Sequence, residues 1–421
     1  MKSPRSRELL VLVGIIVLLI RQPSPVKAMT HEPGTPSEPL RVGPLWVEGR
    51  FSGDLFLRGR NENGSVEPVE ADALEWRNRT RGEARLRGAD DSILAGQGML
   101  TLVLEGETSD ESPVLSFSEL AGKGAPRGYA LKTAGVVLSE LFKASLGGPY
   151  LGIRHGFLPP TFHVTNGEFL EYDEDVRLYQ VGASAHVPLN GFVLQEIAIG
   201  ASANSAAFDP DITERGSLDL TDLYRLEWLA RSAPLGPFTL RYSGSYEAWQ
   251  EPERVARDVA RGRYALPFAF TAAREDFQVL RNNLDGRVKL GNGVMLKLSL
   301  ETAANLAASD ENFAVSGFGS LMFPSPTGPL QDLLGIDRFI IGAGYYHIDR
   351  FAFINLNINR SPIGHDGAVV RLIAINKLQS KFFRRLVYGV ELNFPENSEF
   401  ALSFGNSARY FVRLDFDTDW L

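Results

Sequence analysis

The most pronounced chemical pattern lies between Glu75 and Arg87. Glu75, Arg77, Arg79, Arg81, Glu83, Arg85 and Arg87 occupy one parity, while Leu74, Trp76, Ala84 and Leu86 occupy the other. Successive side chains of a strand point to opposite faces, so this spacing stands five guanidinium groups in one column. Guanidinium stays charged at any physiological pH and matches carboxylate or phosphate geometry. In a confined aqueous path such a column replaces part of an anion's lost hydration. The plainer reading is a polar wall whose charges are balanced by Glu48, Asp54, Glu227 and Glu301. Lipid is excluded as its surroundings, because each Arg there costs about 2–4 kcal/mol near a bilayer midplane. Arg50, Arg225, Arg241 and Lys297 join Arg77, Arg79, Arg81 and Arg85 as candidate cations of one lining, with Arg287, Lys289, Arg371 and Arg413 as further polar-face positions.

Catalytic chemistry finds less support. There is no Gly-x-Ser-x-Gly elbow, Gly-x-x-x-x-Gly-Lys phosphate loop, Gly-x-Gly-x-x-Gly fingerprint or His-Glu-x-x-His pair. The six histidines, His31, His155, His163, His186, His347 and His365, show no metal-ligand spacing. Ser184 beside His186, and His347 on a strand, are the conceivable hydrolytic positions, and both are expected to be wall residues. The absence of cysteine excludes disulfides, thiolate metal sites and thiol catalysis. Acidic clusters at Asp90-Asp91, Asp173-Glu174-Asp175 and Asp209-Pro210-Asp211 lack the order of a calcium loop and are expected to be solvated loops. No catalytic residue, cofactor or metal is therefore expected.

The elements that must carry the cations follow from a period of two. Leu45, Val47, Phe51, Leu55 and Leu57 alternate with Glu48, Arg50, Ser52, Asp54 and Arg58. The same alternation runs through Tyr224–Trp228, Phe238–Ser243, Val294–Glu301, Ile354–Asn359 and Tyr410–Phe416. Turn residues separate the runs at Asn63-Gly64, Gly147-Gly148-Pro149, Asn190-Gly191, Gly291-Asn292-Gly293, Ser325–Pro329, Asp366-Gly367 and Pro395-Glu396-Asn397. Short connections imply antiparallel neighbours. Helical character is confined to Leu131–Leu146, where helix and strand fit equally, and to Pro252–Arg263, an exposed loop or an inward constriction.

The first residues form a separate unit. Lys2, Arg5 and Arg7 precede an apolar run from Leu9 to Ile20, followed by Pro23, Pro25 and Val26-Lys27-Ala28. That order describes a secretory signal peptide cut after Ala28. Residues 1–28 carry five basic side chains against Glu8, so without them the formal charge moves from −8 to −12. This acidity argues against a nucleic-acid partner. No later segment approaches the roughly 20 apolar residues of a membrane helix, so a membrane location requires a barrel.

Period-two strands suit a soluble sandwich or a membrane barrel. The aromatics near run ends, Trp46, Trp228, Trp249, Tyr345, Tyr346, Tyr410 and Trp420, favour a barrel with interfacial belts. About twenty to twenty-four residues per strand and loop give about 16 strands, within 14–18. The expected organisation is a signal peptide at 1–28, a flexible segment at 29–44 and an all-β, antiparallel transmembrane β-barrel at 45–421 with a long loop at 250–275.

On these residues the chain resembles a Gram-negative outer-membrane β-barrel of the porin type. Its last residues, Tyr410 to Leu421, are similar to the alternating aromatic strand that closes such barrels, although they end in Leu421 behind Trp420. Gly389, Leu392 and Phe394 repeat part of that signal one strand earlier, and Leu151–Phe162 resembles a strand-to-loop segment of phosphate-selective-type porins. The resemblance implies a location in the outer membrane and passive diffusion of small hydrophilic solutes, with the Arg column raising the expectation of anions. It implies lipid and lipopolysaccharide around the barrel and the barrel-assembly machinery as partners, and leaves a homotrimer open. The alternatives are a secreted soluble β-rich binding protein and a barrel serving as an enzyme or as a sheath for a partner protein.

Overall fold

The computed structural model describes residues 40–61, 74–89, 98–109, 129–141, 148–158, 161–162, 178–189, 191, 193–205, 223–249, 278–307, 312–325, 335–349, 365–378, 380, 382–395 and 407–419. It contains β1 (Leu40–Val42), β2 (Leu45–Asn61), β3 (Leu74–Gly88), β4 (Met99–Ser109), β5 (Tyr129–Leu141) and β6 (Tyr150–Leu158). Next come β7 (Leu178–Pro188), β8 (Leu194–Ser205), β9 (Leu223–Ser232), β10 (Phe238–Trp249), β11 (Gln278–Gly291) and β12 (Val294–Asn305). The last five are β13 (Phe313–Pro324), β14 (Arg338–Ile348), β15 (His365–Lys377), β16 (Phe383–Pro395) and β17 (Ser407–Asp419).

Each strand from β2 to β17 pairs antiparallel with its sequence neighbour, and β17 returns to β2 in a register running from Ala408 opposite Asn61 to Asp419 opposite Arg50. The sheet therefore closes into a barrel of 16 strands without a free edge. β1 extends it at one rim, pairing Leu40 with Val47 just beyond the point where β17 stops. Connections after β7, β9, β11 and β15 span two to five residues, and those after β4, β6, β8, β10 and β14 span sixteen to twenty-eight. With ten, eight and thirteen residues after β3, β5 and β13 on the first rim and seven after β12 on the other, the longer connections concentrate at one rim without a strict division.

Alternation sets the two faces. On β8 and β9 the outward Ile199 is 61% exposed and Leu226 is 53% exposed, whereas the inward neighbours Arg225 and Glu227 are each 2% exposed. A soluble sandwich would bury the leucines and solvate the charges, so the inverted arrangement excludes it. On the outside Phe51 lies against Phe416 and Phe323 against Phe339 toward the short-connection rim.

Three expectations need correction. Asp366-Gly367 is no turn but the start of β15, where Gly367 leaves room for Tyr346: a Cβ there would lie 2.4 Å from the phenolic oxygen. Tyr346 is not interfacial; it packs inside with Phe318 and Val369. Trp228 sits at mid-strand and covers Gly244 on the outer face, where a Cβ would meet the indole at 2.4 Å. Of the ambiguous stretch Leu131–Leu146, the residues up to Leu141 belong to β5, with a register irregularity between Leu138 and Leu141 and Glu140 at φ 57°, and the rest lies outside the described residues. At Gly291-Asn292-Gly293 the expected hairpin forms, Asn292 and Gly293 having φ 49° and 76°, the signs a two-residue primed turn requires.

Candidate functional site

The Arg column lies on β3 and faces the lumen, because Arg81 reaches Glu105 of β4, which is buried on the opposite parity from the exposed Leu102 and Leu104. Arg81 also meets Glu83 at 3.2 Å, and Arg85 meets the other oxygen of Glu83 at 2.6 Å. The neighbouring wall repeats the arrangement: Asp415 of β17 pairs with Arg413 at 2.8 Å and with Arg385 of β16 at 2.9 Å. In these groups the guanidinium side chains of Arg81, Arg85, Arg385 and Arg413 are 39–55% exposed, while Glu83, Glu105 and Asp415 are 7–13% exposed. Short carboxylate stems hold negative charge against the wall, and long Arg stems carry positive charge outward. The wall is close to neutral by count yet cationic where solution meets it.

Arg50 is exposed on the lumen parity of β2, opposite Glu83 and next to the end of β17. The backbone of Arg77 and Arg79 continues the column, in register with Phe56 and Asp54 of β2; their side chains lie outside the described residues. Lys297 is half-buried on β12, opposite Arg287 and Ser320.

The facing wall is built differently. Arg225 and Glu247 form a 3.0 Å pair with both side chains almost inaccessible. One residue pair away, Glu227 accepts the backbone N–H of Thr161 at 3.0 Å and of Phe162 at 3.2 Å. Arg241 donates to the Phe162 carbonyl at 3.3 Å, Arg154 to the Thr161 hydroxyl at 2.7 Å and Gln180 to the Leu158 carbonyl at 2.6 Å. Phe162 fills a hollow beside Ala198, Leu229 and Gly200; a Cβ on Gly200 would stand 3.4 Å from its ring. The chain leaving β6 therefore turns into the barrel and is held there by side chains of β6, β7, β9 and β10. Arg225 and Arg241, grouped by type with the other cations, here serve an ion pair and this attachment.

Beside Phe162 runs a polar chain. Ser184 Oγ lies 3.2 Å from His186 Nε2, His186 Nδ1 lies 3.0 Å from Glu196 Oε1, and Glu196 Oε2 lies 3.2 Å from Arg231. Tyr150 stacks on the imidazole at 4.5 Å and Phe162 meets it edge-on at 5.5 Å. Elsewhere on the lumen wall Arg371 of β15 pairs with Glu391 of β16 at 2.5 Å and lies over Phe318 of β13 at 5.2 Å.

Sixteen closed strands, an apolar outside, a charged lumen and an inward segment after β6 decide the class of structure. The fold is that of a porin-type outer-membrane barrel. The anion-selective porin of Comamonas acidovorans superposes with a TM-score of 0.50 at 11% identity, over 89% of this chain and 100% of that one. A BenF-like porin of Pseudomonas fluorescens gives 0.46 at 10% identity, over 89% and 98% of the two chains. The outer membrane protein OpdK of Pseudomonas aeruginosa gives 0.46 at 8% identity, over 89% and 99%. No protein-family model and no curated protein matches the chain.

Sequence reasoning did not find Glu105, Glu196, Phe162 or the attachment role of Glu227. Parity puts Glu105 and Glu196 on polar faces, but nothing linear connects Glu227 with residues 65 and 66 positions earlier. Residues 1–28, Pro252–Arg263, His31, His163, Ile354–Asn359 and the three acidic clusters lie outside the described residues. No group of three or more metal-ligating side chains occurs among the described residues.

Proposed function

We propose that this protein is an outer-membrane channel for passive diffusion of small hydrophilic solutes, with a preference for anions. The observation that carries the reading is the unequal exposure within each ion group. An anion in the lumen meets guanidinium ends first, because the carboxylates that balance them are far less exposed. A cation meets the same ends and is repelled. Arg50, Arg77, Arg79, Arg81, Arg85 and Lys297 line the path, while Arg241 holds the inward segment that narrows it and Arg225 is paired with Glu247 beside it. The anion selectivity named for the Comamonas barrel accords with this reading.

Passage down a gradient needs no chemical step, so the channel works without cofactor or turnover. In this reading residues 1–28 direct export, and of the segment 29–44 the residues Leu40–Val42 join the barrel as β1. Lipid and lipopolysaccharide surround the apolar belt, and the assembly machinery inserts the chain. The deciding experiment is planar-bilayer recording of the purified protein under a salt gradient. Stepwise conductance with a reversal potential on the anion side supports the proposal, and insertion without conductance ends it.

A further inference from the structure

Ser184, His186 and Glu196 are not explained by solute flow. They sit on the inner face of β7 and β8 and are joined in one direction: hydroxyl to Nε2 at 3.2 Å, then Nδ1 to carboxylate at 3.0 Å. A carboxylate only accepts, so Nδ1 carries the hydrogen and a neutral imidazole offers Nε2 as the acceptor for the serine proton. The second oxygen of Glu196 is held by Arg231, and Tyr150 and Phe162 fix the ring from two sides. Nucleophile, base and orienting carboxylate thus stand in the order that activates a serine.

The surroundings of the hydroxyl are also built. Ser184 is flanked in register by Gly152 and Gly200, so both neighbouring inward positions lack a side chain. Ser184 Oγ occupies the space over Gly152; a Cβ there would approach it to 2.6 Å, and its next neighbour within 4 Å is the Leu138 carbonyl oxygen at 3.6 Å. On the other side Phe162 lies across Gly200. Ser184 is 6% exposed and Phe162 stands on its Gly200 side, so only a short acyl group suits the hydroxyl.

We propose that Ser184 is an activated nucleophile of the lumen wall that accepts short acyl groups from small carboxylic esters. The Ser184 proton passes to His186 Nε2 as Oγ bonds to the ester carbonyl carbon and the carbonyl electron pair moves to oxygen. Re-formation of the carbonyl breaks the bond to the alcohol oxygen, which leaves with the proton from His186. Water then attacks the acyl-serine with the same base, releasing the carboxylic acid and restoring Ser184. Glu196 acts through His186 as a positioning residue.

The test uses the full folded barrel in detergent, a small alkyl fluorophosphonate as probe and mass spectrometry to locate the adduct. Folding of each variant is checked by its heat-dependent gel migration. The expected result is an adduct on Ser184 that forms in the folded protein and is absent after heat unfolding. Replacing the base in H186Q slows labelling about 100-fold or more, because a positioned base supplies that much. E196Q slows it less, and R231Q tests the outer support without touching the relay. Short-chain p-nitrophenyl esters turn over in the wild type and not in S184A. An adduct on another serine, an unlabelled Ser184 in folded protein, or labelling indifferent to H186Q overturns the proposal. Conductance of the same preparations is read separately, so loss of labelling and loss of the channel are told apart.

Discussion

Glu227 and Phe162 are 65 positions apart in sequence, yet the carboxylate of one holds the backbone N–H of the other at 3.2 Å inside the barrel. The companion oxygen takes the N–H of Thr161. Two charge-assisted bonds on one buried carboxylate make this the firmest attachment of the inward segment, with Arg154, Gln180 and Arg241 holding its other polar groups.

Replacing Glu227 by Ala removes both bonds and leaves two N–H groups to find other partners, at about 1.5–3 kcal/mol for each bond to a charged group. The segment after β6 then leaves the wall more often. Single-channel recordings are expected to show a larger mean conductance and more current noise than the wild type, with E227Q intermediate. Unchanged conductance in a folded E227A barrel would mean that the segment does not narrow the path.

Neutralising the exposed cations should matter more than neutralising the recessed acids. R81Q combined with R85Q is expected to move the reversal potential several-fold further than E105Q, because the Arg ends are 39% and 44% exposed and Glu105 is 7% exposed. The difference should fade in 1 M salt, where the screening length falls to about 3 Å.

The inner aromatic cluster depends on a missing side chain. A Cβ on Gly342 would meet Phe318 at 2.4 Å, whereas one on Gly317 meets nothing within 4 Å. G342A is therefore expected to destabilise the barrel by about 1–3 kcal/mol through overpacking, and G317A to be tolerated. The temperature at which folded and unfolded gel bands interconvert measures both.

The outer belt makes a depth-dependent prediction. Ile199 lies at mid-strand on the outside of β8 and is 61% exposed. I199R should cost about 2–4 kcal/mol of folding stability in phospholipid vesicles, the price of an Arg near the midplane. Urea titration of vesicle-inserted protein reads the difference, and a neutral effect would place β8 against something other than lipid.

Much of the architecture was legible because it depends on period two. Alternation of Leu226 with Arg225 and Glu227, or of Leu298 and Leu300 with Ser299 and Glu301, is a local property that survives wherever the strand lies. Turn chemistry at Asn292-Gly293 is equally local, since φ above zero selects the residues. Asp366-Gly367 misled because the same glycine serves a different need, space for Tyr346 from the next strand. Tyr346 and Trp228 misled because an aromatic ring fits an interface, a lumen cluster or a glycine patch, and only the neighbouring strand selects among them.

By itself the sequence determined the class of strand, the count of about 16 and the placing of charge opposite the apolar face. It also marked the Arg column and the Ser184-x-His186 pair. Closure of β17 onto β2 was decided only in three dimensions, as were the recess of Glu105 behind Arg81 and the capture of Phe162 by Glu227. So was the arrival of Glu196 at His186. The physical reason is that parity assigns a side chain to a face, whereas a contact requires the register of two strands and the path of the chain between them. Those are set by the whole closed sheet.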